Sequence, residues 1–157
     1  MSAARRRLIA ILRDTSGATL VEAAIITPLL LLLTFSIVDF ASMFYCYLSL
    51  ESGVSQATRF AVTGATVGGG SREESIKSAM RSATPTLTIP DGAFSFSHMP
   101  AGATSFVSGV GGPGDVDRVT ITYDWDVMTP LIRPFFTDGK IRFRVESTMK
   151  NERKFPS

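Results

Sequence analysis

The sequence predicts an α+β protein: one long N-terminal helix, transmembrane in its first half and amphipathic in its second, packed on a small antiparallel β-sheet. Three observations carry this. Residues 18–38 are apolar except for one ionisable side chain, Glu22, and as a helix they are long enough to cross a bilayer core of about 30 Å. Beyond them Met43, Tyr47, Leu50, Val54, Ala57 and Ala61 recur at spacings of three and four, while Ser42, Ser49, Ser52, Ser55, Gln56 and Arg59 take the other faces. Near the C-terminus the period changes to two, in Val119, Ile121, Tyr123, Trp125 and Val127 and again in Ile141, Phe143 and Val145.

The first 17 residues form a basic leader. Arg5, Arg6, Arg7 and Arg13 against Asp14 account for more than the formal net charge of +2, so the rest of the chain is slightly acidic, which is no balance for binding nucleic acid. Arginines flanking an apolar run stay cytoplasmic, so everything after residue 38 is translocated. The apolar run exceeds a secretory h-region and no small-x-small site closes it, which argues against an ordinary cleaved signal.

Residues 18–38 then read as the span and residues 39–64 as its amphipathic continuation, one helix of about 70 Å if the two are joined. Glu22 stands out, because a charge at the centre of a lone spanning helix costs about 2.5–3.5 kcal/mol on insertion scales; near the cytoplasmic end it costs less. Pro28 lacks an N–H and its ring clashes with the preceding turn, which predicts a bend over residues 25–29.

Gly64, Gly68, Gly69 and Gly70 end the long helix. Ser71 followed by Glu73 and Glu74 caps a second, shorter helix through about Ala83, and Pro85 stops it. Residues 65–157 form the exported α+β domain. Its two securest strands are those already named; Phe94 and Phe96 predict a third before His98, and residues 87–89 a short edge piece, with turns at 90–92, 109–114 and 138–139. Asp124 and Asp126 on one strand face outward, as do Lys140, Arg142 and Arg144 on another, so the two pair well as neighbours.

Residues with catalytic potential are few. His98 is the single histidine, with no nucleophile motif around it, and reads as a loop or strand-end residue. Residues 109–117, GVGGPGDVD, lack the ending of a phosphate loop and the spacing of a calcium loop; a flexible hairpin connection is the expectation, with a cation shared by Asp115 and Asp117 as the alternative. Asp124 and Asp126 read as a solvated face before they read as paired acid and base. Cys46, the single cysteine, makes no internal disulfide and reads as a small packing residue. The expectation is a protein that is not an enzyme and holds no metal or cofactor.

Glu22 stands five positions after Gly17, between a basic leader and a span. That arrangement resembles the precursors of type IV pilins. Residues 13–64, RDTSGATLVEAAIITPLLLLLTFSIVDFASMFYCYLSLESGVSQATRFAVTG, together with residues 144–152, RVESTMKNE, resemble the TadE-like minor pilins of the tight adherence (Tad) pilus system. The resemblance implies a pilin-like fold and cleavage between Gly17 and Ala18 by a prepilin peptidase. It implies that Glu22 sets register during assembly, and that the partners are the peptidase, other pilins of the system, an inner-membrane assembly platform and the lipid bilayer. Ala23 stands where the major pilins carry an aromatic residue, which points to a minor component. The location implied is the inner membrane, single pass with the N-terminus cytoplasmic, and afterwards the pilus at the cell surface.

Two rivals stand beside this reading, the first of which shares its membrane orientation. A permanently anchored interaction or sensor module predicts that residues 1–17 are retained, and a membrane-tethered enzyme predicts a cleft around residues 115–126. Helix–sheet packing of Met43, Tyr47, Leu50, Val54, Ala57 and Ala61 against Trp125 and Phe143 is expected in all three.

Overall fold

The computed structural model describes residues 16–153 and 155; Arg5, Arg6, Arg7 and Arg13 of the leader lie outside them. Helix α1 (Ser16–Val62) is one helix of 47 residues, and it stays helical on both sides of Pro28, whose ring offers no N–H to the Ala24 carbonyl. Chain contacts divide the molecule into two units, one ending at Phe40 and one beginning at Ala41. The second half of α1 therefore belongs to the compact domain, which begins well before residue 65.

In the first unit the helix presents apolar side chains all round. Leu20, Val21, Ile25, Leu29, Leu33 and Ile37 are all exposed. The hydroxyls here stay within the helix: Thr34 Oγ1 donates to the Leu30 carbonyl at 2.8 Å and Ser36 Oγ to that of Leu32 at 2.7 Å. Such back-bonding leaves a hydroxyl paired where no water is at hand.

The second unit holds the rest of α1, helix α2 (Arg72–Ala83) and four strands: β1 (Phe94–Met99), β2 (Val107–Ser108), β3 (Val116–Asp126) and β4 (Lys140–Lys150). They form one antiparallel sheet in the order β2-β1-β3-β4. Ser71 caps α2 by accepting from the Glu74 N–H at 3.2 Å, and Glu73 and Glu74 place negative charge on its positive end. In the β3–β4 register Tyr123 lies opposite Phe143, Trp125 opposite Ile141 and Ile121 opposite Val145, so the period-two residues share one face.

That face and the stripe of α1 make the core. Leu50, Val54, Ala57 and Ala61 are buried in one cluster with Ile76 and Met80 of α2 and with Val119, Ile121, Trp125 and Val145 of the sheet. Each large apolar side chain removed from water there contributes about 1.5–3 kcal/mol. Cys46 is buried among them, and Met43 is half-buried at the margin. Tyr47 is more exposed than its place in the stripe suggests and meets the sheet edge-on at Phe143, the ring centroids 5.8 Å apart. At Gly53 α1 lies close against the end of α2: a Cβ there would stand 2.5 Å from Thr84 Cγ2.

On the other face, Arg142 grips Asp124 with two N–H donors at 2.6 and 3.0 Å, and Lys140 lies 3.6 Å from Asp126. The Arg142 hydrogen bond holds the Asp124 carboxyl below the usual carboxylate range. Both groups are solvated, so the pair orders the strands more than it strengthens them.

The expected edge piece is corrected. Residues 87–89 are irregular; Ile89 is buried, but Pro85 and Pro90 bracket the segment, and β2 takes the edge of the sheet instead. His98 is a strand-end residue, the next-to-last of β1, paired with both Val107 and Asp117, and its Nδ1 stands 3.1 Å from the Gly109 carbonyl oxygen.

Residues 109–114 are pinned, not a loose hairpin. Asp117, almost wholly buried, accepts from the Gly111 N–H at 2.7 Å, from Asn151 Nδ2 at 3.0 Å and from Arg72 Nη2 at 3.3 Å. Arg72 also donates to the carbonyls of Gly111 and, at 2.9 Å, of Ala61. Asp115 accepts from the N–H groups of Ala101 and Gly112 at 3.0 and 2.7 Å. Beside this cluster the Glu152 N–H donates to the Val62 carbonyl at 3.1 Å. The Phe155 ring lies over Arg72 and against Gly64, which has a φ of +67° and whose Cβ, if present, would collide with the ring. One polar clasp thus joins the end of α1, the start of α2, the 109–114 loop and the segment after β4.

Candidate functional site

The residues the sequence singles out fall into two groups. Gly17, Ala18 and Glu22 stand together in the first turns of α1. Glu22 stands four positions after Ala18, about 6 Å further along the helix axis. Both are exposed, as is every residue of α1 from Gly17 to Leu31. A Cβ built on Gly17 meets nothing within 4 Å, so this chain itself has no steric need for glycine there. Pro28 lies in the same exposed stretch.

Met43, Leu50, Val54, Ala57 and Ala61 belong to the core of the second unit together with Trp125 and Phe143, with Tyr47 at its rim. They hold the domain together and are remote in kind from the first group.

A helix apolar on all faces has few uses in water. The 18-residue windows of α1 reach a mean hydropathy of 2.2 with none of that surface buried, which meets the length and composition needed to cross a membrane. In such surroundings Glu22 is the one ionisable side chain of residues 18–38, a carboxylate able to take a cationic partner. The sequence reading passed over one further acid: Asp39, just beyond the apolar run, is 4% exposed. An acid placed directly after Ile37 and Val38 and before Phe40 was the available signal, masked by being counted with the polar residues that follow.

The other carboxylates are engaged in structure. Asp115 and Asp117 are taken up by internal donors, and Asp124 and Asp126 by arginine and lysine across the ladder.

No curated protein and no solved structure matches the chain. A family model does, that of the TadE-like proteins, over residues 17–59. The match starts at Gly17, takes in Ala18, Glu22 and Pro28, and runs through the stripe as far as Ala57, ending inside α1. Over this segment, which holds the whole of the exposed apolar stretch of α1, the chain is similar to the TadE-like proteins.

Proposed function

We propose that the chain is the precursor of a minor pilin that takes part in assembling a Tad-type pilus. The basic leader remains in the cytoplasm, residues 18–38 cross the inner membrane, and the sheet domain faces outward. A prepilin peptidase cuts between Gly17 and Ala18, creating an ammonium group beside Glu22. Within one subunit, or between a subunit and its neighbour, the carboxylate then has a cation in a layer where it needs one. Pairing with a neighbour's terminus fixes axial register, while apolar surface supplies most of the contact. The observation that carries this reading is the family match beginning at Gly17 and including Glu22, on a helix exposed on all sides.

The test is the N-terminal residue of the protein recovered from membranes. Ala18 is expected in cells that carry the peptidase and Met1 in cells that lack it; an intact leader in both overturns the reading in favour of a permanently anchored module. Gly17→Ala is expected to accumulate uncut precursor. Because a Cβ there meets nothing within 4 Å, such accumulation reports exclusion from the peptidase and not a misfolded helix.

Glu22 separates a pilin from an anchor. Glu22→Ala removes an intramembrane carboxylate, so membrane levels are expected to hold or rise while pilus number falls. Glu22→Gln keeps shape and some hydrogen bonding and is expected to retain part of the function. Surface pili counted at equal amounts of cleaved protein decide the matter, and normal piliation with Glu22→Ala removes the role assigned to the carboxylate.

A further inference from the structure

We infer that the connection between β3 and β4, residues 127–139, seats its apolar side chains in the outer surface of the bilayer that α1 crosses. The inference rests on the anchored, outward orientation proposed above. It starts from a loop that is well built and yet apolar on the outside. Its base is closed by the Val127 N–H on the Gly139 carbonyl at 2.9 Å and braced by Arg133 Nε on the Val127 carbonyl at 2.7 Å. Successive turns follow, Ile132 to Thr129, Phe135 to Ile132, Phe136 to Arg133 and Gly139 to Phe136, each N–H donating to the carbonyl three residues back at 3.0–3.2 Å. Ile132 packs inward on the core. The backbone is thus fixed, while Leu131 is 66% exposed and Phe135 83%, with Phe136 beside them also exposed. An ordered loop that holds large apolar groups away from its own core has an apolar counterpart elsewhere.

The position of the loop within the domain names that counterpart. The clasp puts Asp117, at the start of β3, beside Ala61, near the end of α1. At the other end Tyr47 meets Phe143, which is paired with Tyr123. As β3 runs from Asp117 to Asp126, it therefore runs back along α1 toward residue 41, where the domain begins. The β3–β4 connection lies at that end. Residue 41 follows the span proposed for residues 18–38 by three positions along the chain. Aromatic side chains with a nearby arginine are the composition found at the level of lipid headgroups, where an apolar ring and a charged head are both accommodated. Phe135, Phe136 and Arg133 supply it here.

The experiment uses the full chain in vesicles of phosphatidylethanolamine and phosphatidylglycerol, with Cys46→Ala as background and Trp125 fluorescence as the check that the domain is folded. An environment-sensitive fluorophore is attached in turn at Phe135→Cys, Leu131→Cys, Pro113→Cys and Leu29→Cys, and nitroxide-labelled lipids quench it from shallow or deep positions. Pro113 is exposed in the loop at the opposite, clasp end of the domain. The expected result is blue-shifted emission at Phe135→Cys and Leu131→Cys, with shallow quenching severalfold above that at Pro113→Cys. If Leu29→Cys is quenched by the deep label while the two loop positions behave like Pro113→Cys, the loop inference is overturned and the anchoring stands. If Leu29→Cys is not quenched, the anchoring itself fails and takes the inference with it. Blue-shifted loop emission without lipid quenching assigns the loop to a protein partner and also overturns the proposal.

Discussion

Val54→Asp is expected to unfold the domain that begins at Ala41. Val54 is 1% exposed, with the sheet on one side and α2 nearby, and the core around it offers no cation. A carboxylate placed there must be buried without a partner or force the stripe of α1 off the sheet. Either route costs about 3–5 kcal/mol, a large part of the 5–15 kcal/mol by which domains of this size are stable. The measurement is thermal melting of the full chain in detergent, followed by the fluorescence of Trp125, the single tryptophan, which lies in the same core. A transition midpoint equal to that of the unaltered chain refutes helix–sheet packing as the basis of the fold. Val54→Ala is the graded control, expected to cost less because it leaves a small cavity and no charge.

Asp117→Ala is expected to have the second largest effect. It leaves the Gly111 N–H and the Asn151 amide without their acceptor and Arg72 without its carboxylate, all at a buried junction. Removing one partner of a buried ion pair costs about 3–5 kcal/mol; Arg72 keeps some access to water, so the lower end of that range applies. Melting should show the loss, and hydrogen exchange at the Gly111 amide should accelerate selectively. Combining Asp117→Ala with Arg72→Ala is expected to cost less than the two single losses added together, since they remove one shared interaction. Full additivity means that the two residues do not act as a pair.

Much of the fold was legible because its signals are periodic and local. The stripe from Leu50 to Ala61 and the alternation around Val119 and Ile121 each announce a face, and Ser71 announces a helix start within four residues. The pairing of Asp124 with Arg142 followed once both strands were recognised as having one wet face. What escaped depends on residues far apart in the chain. Asp117 looked like part of a flexible glycine-rich turn, since its partners Arg72 and Asn151 lie 45 and 34 positions away. The alternation of Leu87 and Ile89 imitated a strand, but a buried residue at every second position needs only an inward face, not a ladder. Of the candidate residues, Gly17 and Glu22 were legible from their spacing to each other and to the arginines. The burial of Asp39 was not, because nothing local distinguishes a buried acid at the end of an apolar run from a solvated one. The apolar exterior of residues 127–139 was equally silent: Leu131 and Phe135 have no period that tells inward from outward.

The clasp also sets an order of events in time. Val62 is bonded by Glu152, and β3 is completed on one side only by β4, the last strand of the sheet. Synthesis delivers α1 first, yet Val62 meets its partner only after 89 intervening residues have followed. Until then the stripe of Leu50, Val54, Ala57 and Ala61 has half a sheet to cover it. Closing so long a loop is slow compared with forming a helix, and the interval exposes apolar surface and an unpaired strand edge to other chains. The domain therefore completes its fold late and at the trailing end of the polypeptide. A nascent chain stalled before residue 140 is expected to be a substrate for chaperones and proteases, however complete its long N-terminal helix.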